Sequence, residues 1–139
     1  MYLDTCILVK LLVREPDSEA CASTAAGSHL VSSELVCAEV ASALLQKERS
    51  GHISKFQREA SWKEFERQIQ QQTLVLADLD SAIVHQAQGL MVQVHPRVAL
   101  RTLDALHLAT YLSVIPGPLF TKDKRMLEAA GLLGIPLVT

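Results

Sequence analysis

Tyr2-Leu3-Asp4-Thr5, running straight into Cys6-Ile7-Leu8-Val9-Lys10-Leu11-Leu12-Val13, decides how the rest of the chain is read. The opening residues have the short apolar character of a buried strand, and the apolar stretch after Thr5 reads as a helix. Asp4 therefore stands where a strand hands over to a helix. In open parallel α/β sheets the carboxyl ends of the strands are where ligands bind. An ionisable side chain at that hand-over is a candidate for chemistry.

The same alternation continues outward from this unit. Pro16 breaks the first helix, because the residue before a proline is pushed out of the helical region. Asp17 or Ser18 is expected to cap a second helix towards Ala26, stopped at Gly27. His29-Leu30-Val31 reads as a second strand, and Ser32-Ser33 as the cap of a long helix to about Arg49, ended by Gly51. Ser54 with Gln57 forms a capping box for a fourth helix carrying Phe56, Ala60, Trp62, Phe65 and Ile69. Thr73 to Leu76 is a third strand, and Asp80 caps a fifth helix to about Val94. Arg101 to Val114 is a sixth helix, stopped by Pro116-Gly117. Leu119 to Thr121 is a fourth strand, Asp123 to Gly131 a seventh helix, and Pro136 to Val138 a last strand. Such alternation predicts βα units and a parallel sheet covered on both faces, in one domain spanning 1–139.

Composition narrows the function. Apolar residues make up 49% of the 139 and charged ones 20%, which excludes a disordered chain. The formal net charge of −2 excludes nucleic-acid binding through a general basic field, and 4% aromatics supply little base stacking. A polyanion would have to be held by local Lys/Arg groups or by metal ions. Cys6, Cys21 and Cys37 are odd in number and show no CxxC spacing, so all three are expected to be reduced core thiols of a cytoplasmic protein. The N-terminus lacks the basic region of a signal peptide, and no apolar run nears the roughly 20 residues of a membrane span.

Two further carboxylates are out of place. Glu39 is set among Leu35, Val36, Val40 and Ala43, and Asp104 among Leu100, Leu103, Ala105 and Leu108. A buried, unpaired charge is expensive, so each needs a cation, a hydrogen-bond donor or a metal. Asp123, like Asp4, follows an apolar strand and precedes a helix. Parallel strands put both at the same edge of the sheet. Two carboxylates about 4 Å apart repel by about 4 kcal/mol at an effective dielectric near 20, so a cluster of four calls for a neutralising divalent cation. All-oxygen ligation suits Mg²⁺ or Mn²⁺ better than zinc. Such a site activates water and clamps phosphate oxygens, the logic of metal-assisted phosphodiester hydrolysis. The plainer alternative makes Asp4 and Asp123 N-caps, with Glu39 and Asp104 satisfied by Arg101, Lys47 or another basic group.

These pieces together resemble the PIN-domain ribonucleases, in particular the toxins of VapBC-type toxin–antitoxin modules. The likeness rests on Leu3-Asp4-Thr5, on Ser32-Ser33 leading to Ala38-Glu39-Val40 and Ala43-Leu44, on Asp104-Ala105-Leu106-His107-Leu108-Ala109-Thr110, and on Thr121-Lys122-Asp123-Lys124-Arg125. It covers essentially the whole chain. The resemblance implies an α/β/α sandwich around a parallel sheet and Mg²⁺-dependent RNA cleavage leaving a 5′-phosphate. It implies Asp4, Glu39, Asp104 and Asp123 as the acidic set, with Thr5 and Thr121 as accessory hydroxyls. It also implies a cognate antitoxin beside the acidic pocket and a homodimer. Independently of the resemblance, Lys10, Arg14, Arg101, Lys122, Lys124 and Arg125 stand near the acidic positions in sequence and are candidate phosphate contacts, although a Lys or Arg at a helix end is more often a solvated charge.

His107 lies one turn from Asp104, but the resemblance gives it no ligand role and it is expected to pack its helix. The rivals are a phosphoacceptor signalling domain, which wants an acidic pair after its first strand where Asp4 stands alone, and a catalytically silent PIN-like module for protein binding. An aspartyl-nucleophile phosphatase would want a second Asp where Cys6 stands. No Gly-rich phosphate loop is present.

Overall fold

In chain order the elements are β1 (Tyr2–Leu3), α1 (Thr5–Leu12), α2 (Ser18–Ala25), β2 (Leu30–Ser33), α3 (Val36–Arg49), α4 (Lys55–Gln70), β3 (Leu74–Ala77), α5 (Ser81–Val94), α6 (Thr102–Val114), β4 (Leu119–Phe120) and α7 (Lys124–Leu133). The structure is a computed structural model and describes residues 1–138. The four strands form one sheet in the order β3-β2-β1-β4. All pairings are parallel, from Tyr2↔Val31 and Tyr2↔Leu119 to the four-residue register of β2 with β3. The expected parallel sheet flanked by helices is therefore what forms.

Side-chain alternation along the strands sets the layers. Tyr2, Val31 and Leu119 enter a core with Leu90, Leu108 and Met126, from α5, α6 and α7. Leu3, Leu74 and Phe120 enter a second core with Ile7, Val40, Leu44 and Phe65, from α1, α3 and α4. β1 has only two residues, so few ladder bonds hold it: Val31 N–H donates to Met1 at 3.0 Å, and Asp4 N–H to Phe120 at 3.1 Å. Each such bond is worth about 1 kcal/mol net. Burying a large apolar side chain contributes about 1.5–3 kcal/mol, and Tyr2 and Leu3 are both fully buried. Uptake of those two side chains into separate cores fixes where β1, and hence Asp4, lies.

Several local expectations are corrected. Ser32 and Ser33 do not cap α3; they extend β2, where the Ser32 hydroxyl donates to the Leu3 carbonyl at 2.7 Å. Leu35 occupies the N-cap position of α3 without a side-chain bond. Asp17 does not cap α2 either, because Lys10 and Lys122 take its carboxylate. α7 runs through Gly131 and ends at Gly134, whose φ of +68° gives the left-handed turn. The last strand shrinks to one bridge, Leu119↔Leu137, since Pro136 has no N–H to extend a ladder. Of the three free cysteines only Cys21 is a core residue; Cys6 is half-buried and Cys37 exposed. The Ser54/Gln57 capping box of α4 forms as expected. Among the described residues no helix is long and apolar enough to cross a membrane.

Phe56 and Phe65 both lie on α4, but Phe56 is 80% exposed and Phe65 only 1%. Trp62 packs on Phe65 with ring centroids 5.4 Å apart. Urea unfolding should show Phe65→Ala destabilised by about 3–5 kcal/mol, with Phe56→Ala within about 0.5 kcal/mol of wild type. The reverse order would mean that α4 is docked by its other face.

Candidate active site

Parallel strands bring their carboxyl ends to one edge, and there the chain turns into helices. Asp4 follows β1 and is the N-cap of α1, one oxygen accepting from the Cys6 N–H at 3.3 Å. Asp123 follows β4 and is the N-cap of α7, accepting from the N–H groups of Arg125 at 2.8 Å and Met126 at 3.2 Å. Glu39 lies in the first turn of α3 and Asp104 in the first turn of α6. Asp4, Thr5, Glu39, Asp104 and Asp123 line one open cleft of about 810 Å³, together with Lys10, Glu15 and Arg101. Capping and lining the cleft are thus compatible jobs for Asp4 and Asp123.

Hydroxyls, more than cations, hold the carboxylates. Thr121 is buried, donates to the second oxygen of Asp4 at 2.5 Å and accepts from the Asp123 N–H at 3.0 Å. Thr5 donates to Glu39 Oε2. The Cys6 thiol also donates to Asp4, at 3.0 Å, and burial with the Asp4 charge pushes it up to about 12. Lys47 and Arg101 do not reach Glu39 or Asp104 as ion-pair partners. Lys47 goes to Glu15 at 2.5 Å, and Arg101 serves as the exposed N-cap residue of α6.

Asp104 is the strained member. Its side chain is mostly covered, and Oδ2 has no hydrogen-bond partner. Among the described residues the only cation in ion-pair range is Arg125, whose Nε stands 3.7 Å away and is likewise without a partner. Burial holds the Asp104 carboxyl above its ordinary value, and the negative charges of Asp123 and Asp4 add to that, while Arg125 opposes it. Glu39 is moved the other way: burial resists ionisation, but hydrogen bonds from His107 and Thr5 outweigh it.

Beside the cleft an ion-pair network occupies several of the candidate phosphate contacts. Lys10 bridges Glu15 at 2.6 Å and Asp17 at 2.7 Å, and Lys122 meets Asp17 at 2.6 Å. Hydrogen bonds from Lys10 and Lys122 hold Asp17 down at about 2, and those from Lys10 and Lys47 lower Glu15.

The donor set is all-oxygen, which suits a hard divalent ion, and the orphaned Asp104 Oδ2 is an unmet acceptor of the kind such an ion satisfies. Asp4, Asp104 and Asp123 are the residues that could hold it, with Glu39 nearby. As the side chains stand, no three His, Cys, Asp or Glu groups among the described residues are close enough to share one ion. The four carboxylates share a cleft without converging on a point; hydroxyl donors hold Asp4 and Glu39, while Asp104 still feels the charges of Asp123 and Asp4.

One residue set aside on sequence grounds belongs to this picture. His107 is 2% exposed, as a packing histidine would be, but both its ring nitrogens are engaged. Nε2 lies 2.7 Å from Glu39 Oε2 and Nδ1 2.9 Å from the Tyr2 hydroxyl. Its place one turn after Asp104 was the only sequence signal, and that spacing points to Asp104 rather than to its true partner on α3.

Residues 1–132 match the family model described as PIN domain. The chain is 39% identical over 144 residues to "Ribonuclease VapC46" of Mycobacterium tuberculosis, an alignment covering 99% of this chain and 95% of that protein. A solved structure, "Crystal structure of VapBC2 from Rickettsia felis bound to a DNA fragment from their promoter", has a chain similar in fold. The TM-score is 0.69 at 16% identity, with 98% of this chain and 95% of that chain covered.

The raised Asp104 carboxyl has a thermodynamic consequence. The folded protein binds that proton more tightly than the unfolded chain, so stability is lost as pH rises through the interval above the ordinary Asp value of about 4. Asp104→Asn removes that loss. In EDTA at pH 7 the variant should melt a few degrees above wild type, and the gap should close below pH 4. A lower melting temperature at pH 7 would show that Arg125 compensates the charge fully.

Proposed function

The chain belongs to the PIN-domain family, and from that premise we propose that it is a Mg²⁺-dependent endoribonuclease and the toxin half of a VapBC-type toxin–antitoxin pair. The observation that carries the reading is the gathering of Asp4, Glu39, Asp104 and Asp123 along one cleft, with a buried Asp104 oxygen left unpartnered. The name of the Mycobacterium tuberculosis relative supports a ribonuclease, and the alignment spans nearly both chains.

Asp4, Asp104 and Asp123 would hold Mg²⁺, with Mn²⁺ as a substitute, and Glu39 would supply a further oxygen, once the side chains lining the cleft close on the ion. The ion, when bound, polarises a phosphate oxygen and lowers the pKa of a water molecule. Thr121 keeps the Asp4 carboxylate turned into the cleft, and Thr5 does the same for Glu39. Arg125 faces Asp104 in the free protein and partly offsets its charge, and Arg101 lines the cleft in which a phosphate would lie. The overall charge of −2 is consistent with this division of labour: the substrate is held locally, not by a basic field.

An RNase of this kind needs restraint in the cell, so the partner is a cognate antitoxin protein. An antitoxin arginine entering the cleft would meet the carboxylates bidentately and do what Arg125 does at longer range. The solved Rickettsia felis complex is named as VapBC2, a toxin–antitoxin pair by that name, which supports the partner class. A homodimer acting in the cytoplasm completes the proposal.

The test is cleavage of single-stranded RNA by the purified chain. Mg²⁺ or Mn²⁺ should be required, EDTA should stop the reaction, and the products should carry 5′-phosphates. Asp4→Asn and Asp104→Asn should each remove detectable cleavage while leaving the circular-dichroism spectrum unchanged. Metal-independent cleavage, or full activity in Asp4→Asn, would refute the assignment. A folded chain with no cleavage of any RNA would favour the silent protein-binding module.

A further inference from the structure

The hydrogen bond from His107 to Glu39 joins two parts of the molecule that otherwise belong to different cores. α6 packs on the Tyr2 face of the sheet, and α3 on the Leu3 face. At the carboxyl edge, beyond the end of β1, His107 of α6 reaches Glu39 of α3 with Nε2 2.7 Å from Oε2. Thr5, the first residue of α1, donates to the same oxygen and lies 3.2 Å from the same ring nitrogen. Both contacts fall on Oε2; among the described residues Oε1 has none, and it is not enclosed.

We propose that His107, locked in place by Tyr2, is a positioning residue that holds Glu39 by Oε2 and leaves Oε1 as the single oxygen offered to a divalent cation in the cleft. The proposal rests on the metal-dependent reading of this site and adds to it a residue outside the acidic set.

The chemistry of the two ends fixes the ring. An ionised carboxylate only accepts hydrogen bonds, so the nitrogen facing Glu39 carries the hydrogen. That leaves Nδ1 to the Tyr2 hydroxyl at 2.9 Å, and an imidazole held at both nitrogens cannot flip or swing. Tyr2 is itself immobile. It is fully buried, and its ring stands edge-on to His107 and to Tyr111, with centroids 5.9 and 5.8 Å away. The Tyr111 hydroxyl donates to the Gly117 carbonyl at 3.0 Å, which ties that ring to the loop before β4.

A glutamate on a helix surface samples many rotamers and loses that freedom on binding an ion. Two donors on Oε2 remove the freedom beforehand. Outer partners that orient metal ligands in this way are typically worth 10–100-fold in metal affinity or activity. Asp123 needs no such device, because its short side chain is already fixed as a helix cap, and Asp4 has its own orienting partner in Thr121.

The experiment compares wild type with His107→Phe, His107→Gln and Tyr2→Phe as full chains. It reads Mn²⁺ affinity by calorimetry, melting temperature in EDTA, and kcat and KM on RNA. His107→Phe keeps a ring of similar size but no donor; Gln can place an amide N–H near the lost Nε2. Mn²⁺ binding should weaken 10–100-fold in His107→Phe and recover most of that in His107→Gln, with Tyr2→Phe losing a few-fold. The kcat should fall with affinity at fixed Mn²⁺, and KM for RNA should stay near wild type. Wild-type Mn²⁺ affinity in a folded His107→Phe overturns the proposal. So does a His107→Gln no tighter than His107→Phe at equal melting temperature, since packing alone would then be at stake. Should His107→Phe fail to fold, Tyr2→Phe decides the matter: a few-fold loss of Mn²⁺ affinity upholds the proposal and wild-type affinity overturns it. A wild-type chain that binds no Mn²⁺ fails the metal reading itself, an outcome distinct from one in which wild type and His107→Phe bind equally.

Discussion

Two neighbouring side chains on a two-residue strand are consumed by opposite cores, and the geometry of the cleft follows from that. Tyr2 is taken by the face with α5, α6 and α7, and Leu3 by the face with α1 to α4. The next residue, Asp4, has no core left to enter and emerges at the sheet edge as the cap of α1. β4 repeats the arrangement with Leu119 and Phe120, and Thr121 then emerges beside Asp4. The cleft is therefore a by-product of burying a pleated strand from both sides.

Placing carboxylates on such an edge raises an electrostatic problem that the chain solves in pieces. Asp4 and Asp123 are stabilised by helix N-termini, where backbone N–H groups and the helix dipole favour negative charge. Glu39 draws on a hydroxyl and an imidazole. Asp104 has neither kind of help for Oδ2, and burial with the charges of Asp123 and Asp4 pushes it towards its protonated form. The most costly carboxylate is the one with the greatest need of a cation, so instability in the free protein and affinity for an ion are two sides of one arrangement. The lysines that could have neutralised the edge are tied up in the Glu15–Asp17 network next to it.

Backbone and side-chain signals differed in how well they survived folding. Strand and helix order was legible because each element carries its own apolar periodicity and its own punctuation at Pro16, Gly27, Gly51 and Pro116. Signals that depend on competition for a group were not. Asp17 has the sequence of an N-cap but sits within reach of two lysines, and charge-assisted bonds to them win over a backbone N–H. Ser32 and Ser33 read as a cap, yet the neighbouring β3 offers four residues of parallel pairing that draw them into the strand. Phe56 and Phe65 share a helix and a residue type, and only the position of α3 and α1 decides which of them is buried.

What the sequence determined by itself was the alternation of strands and helices, and with it the edge at which Asp4 and Asp123 would stand. Those are local facts: apolar runs of a given period, followed by a capping residue. Glu39 and Asp104 were visible as charges misplaced on apolar stripes, but their partners were not. Only the tertiary structure decided that Glu39 meets Thr5 and His107, residues 34 and 68 positions away, and that Asp104 faces Arg125. Such contacts are set by how two helical layers close over the rim of a sheet, and no spacing within a single helix encodes that distance.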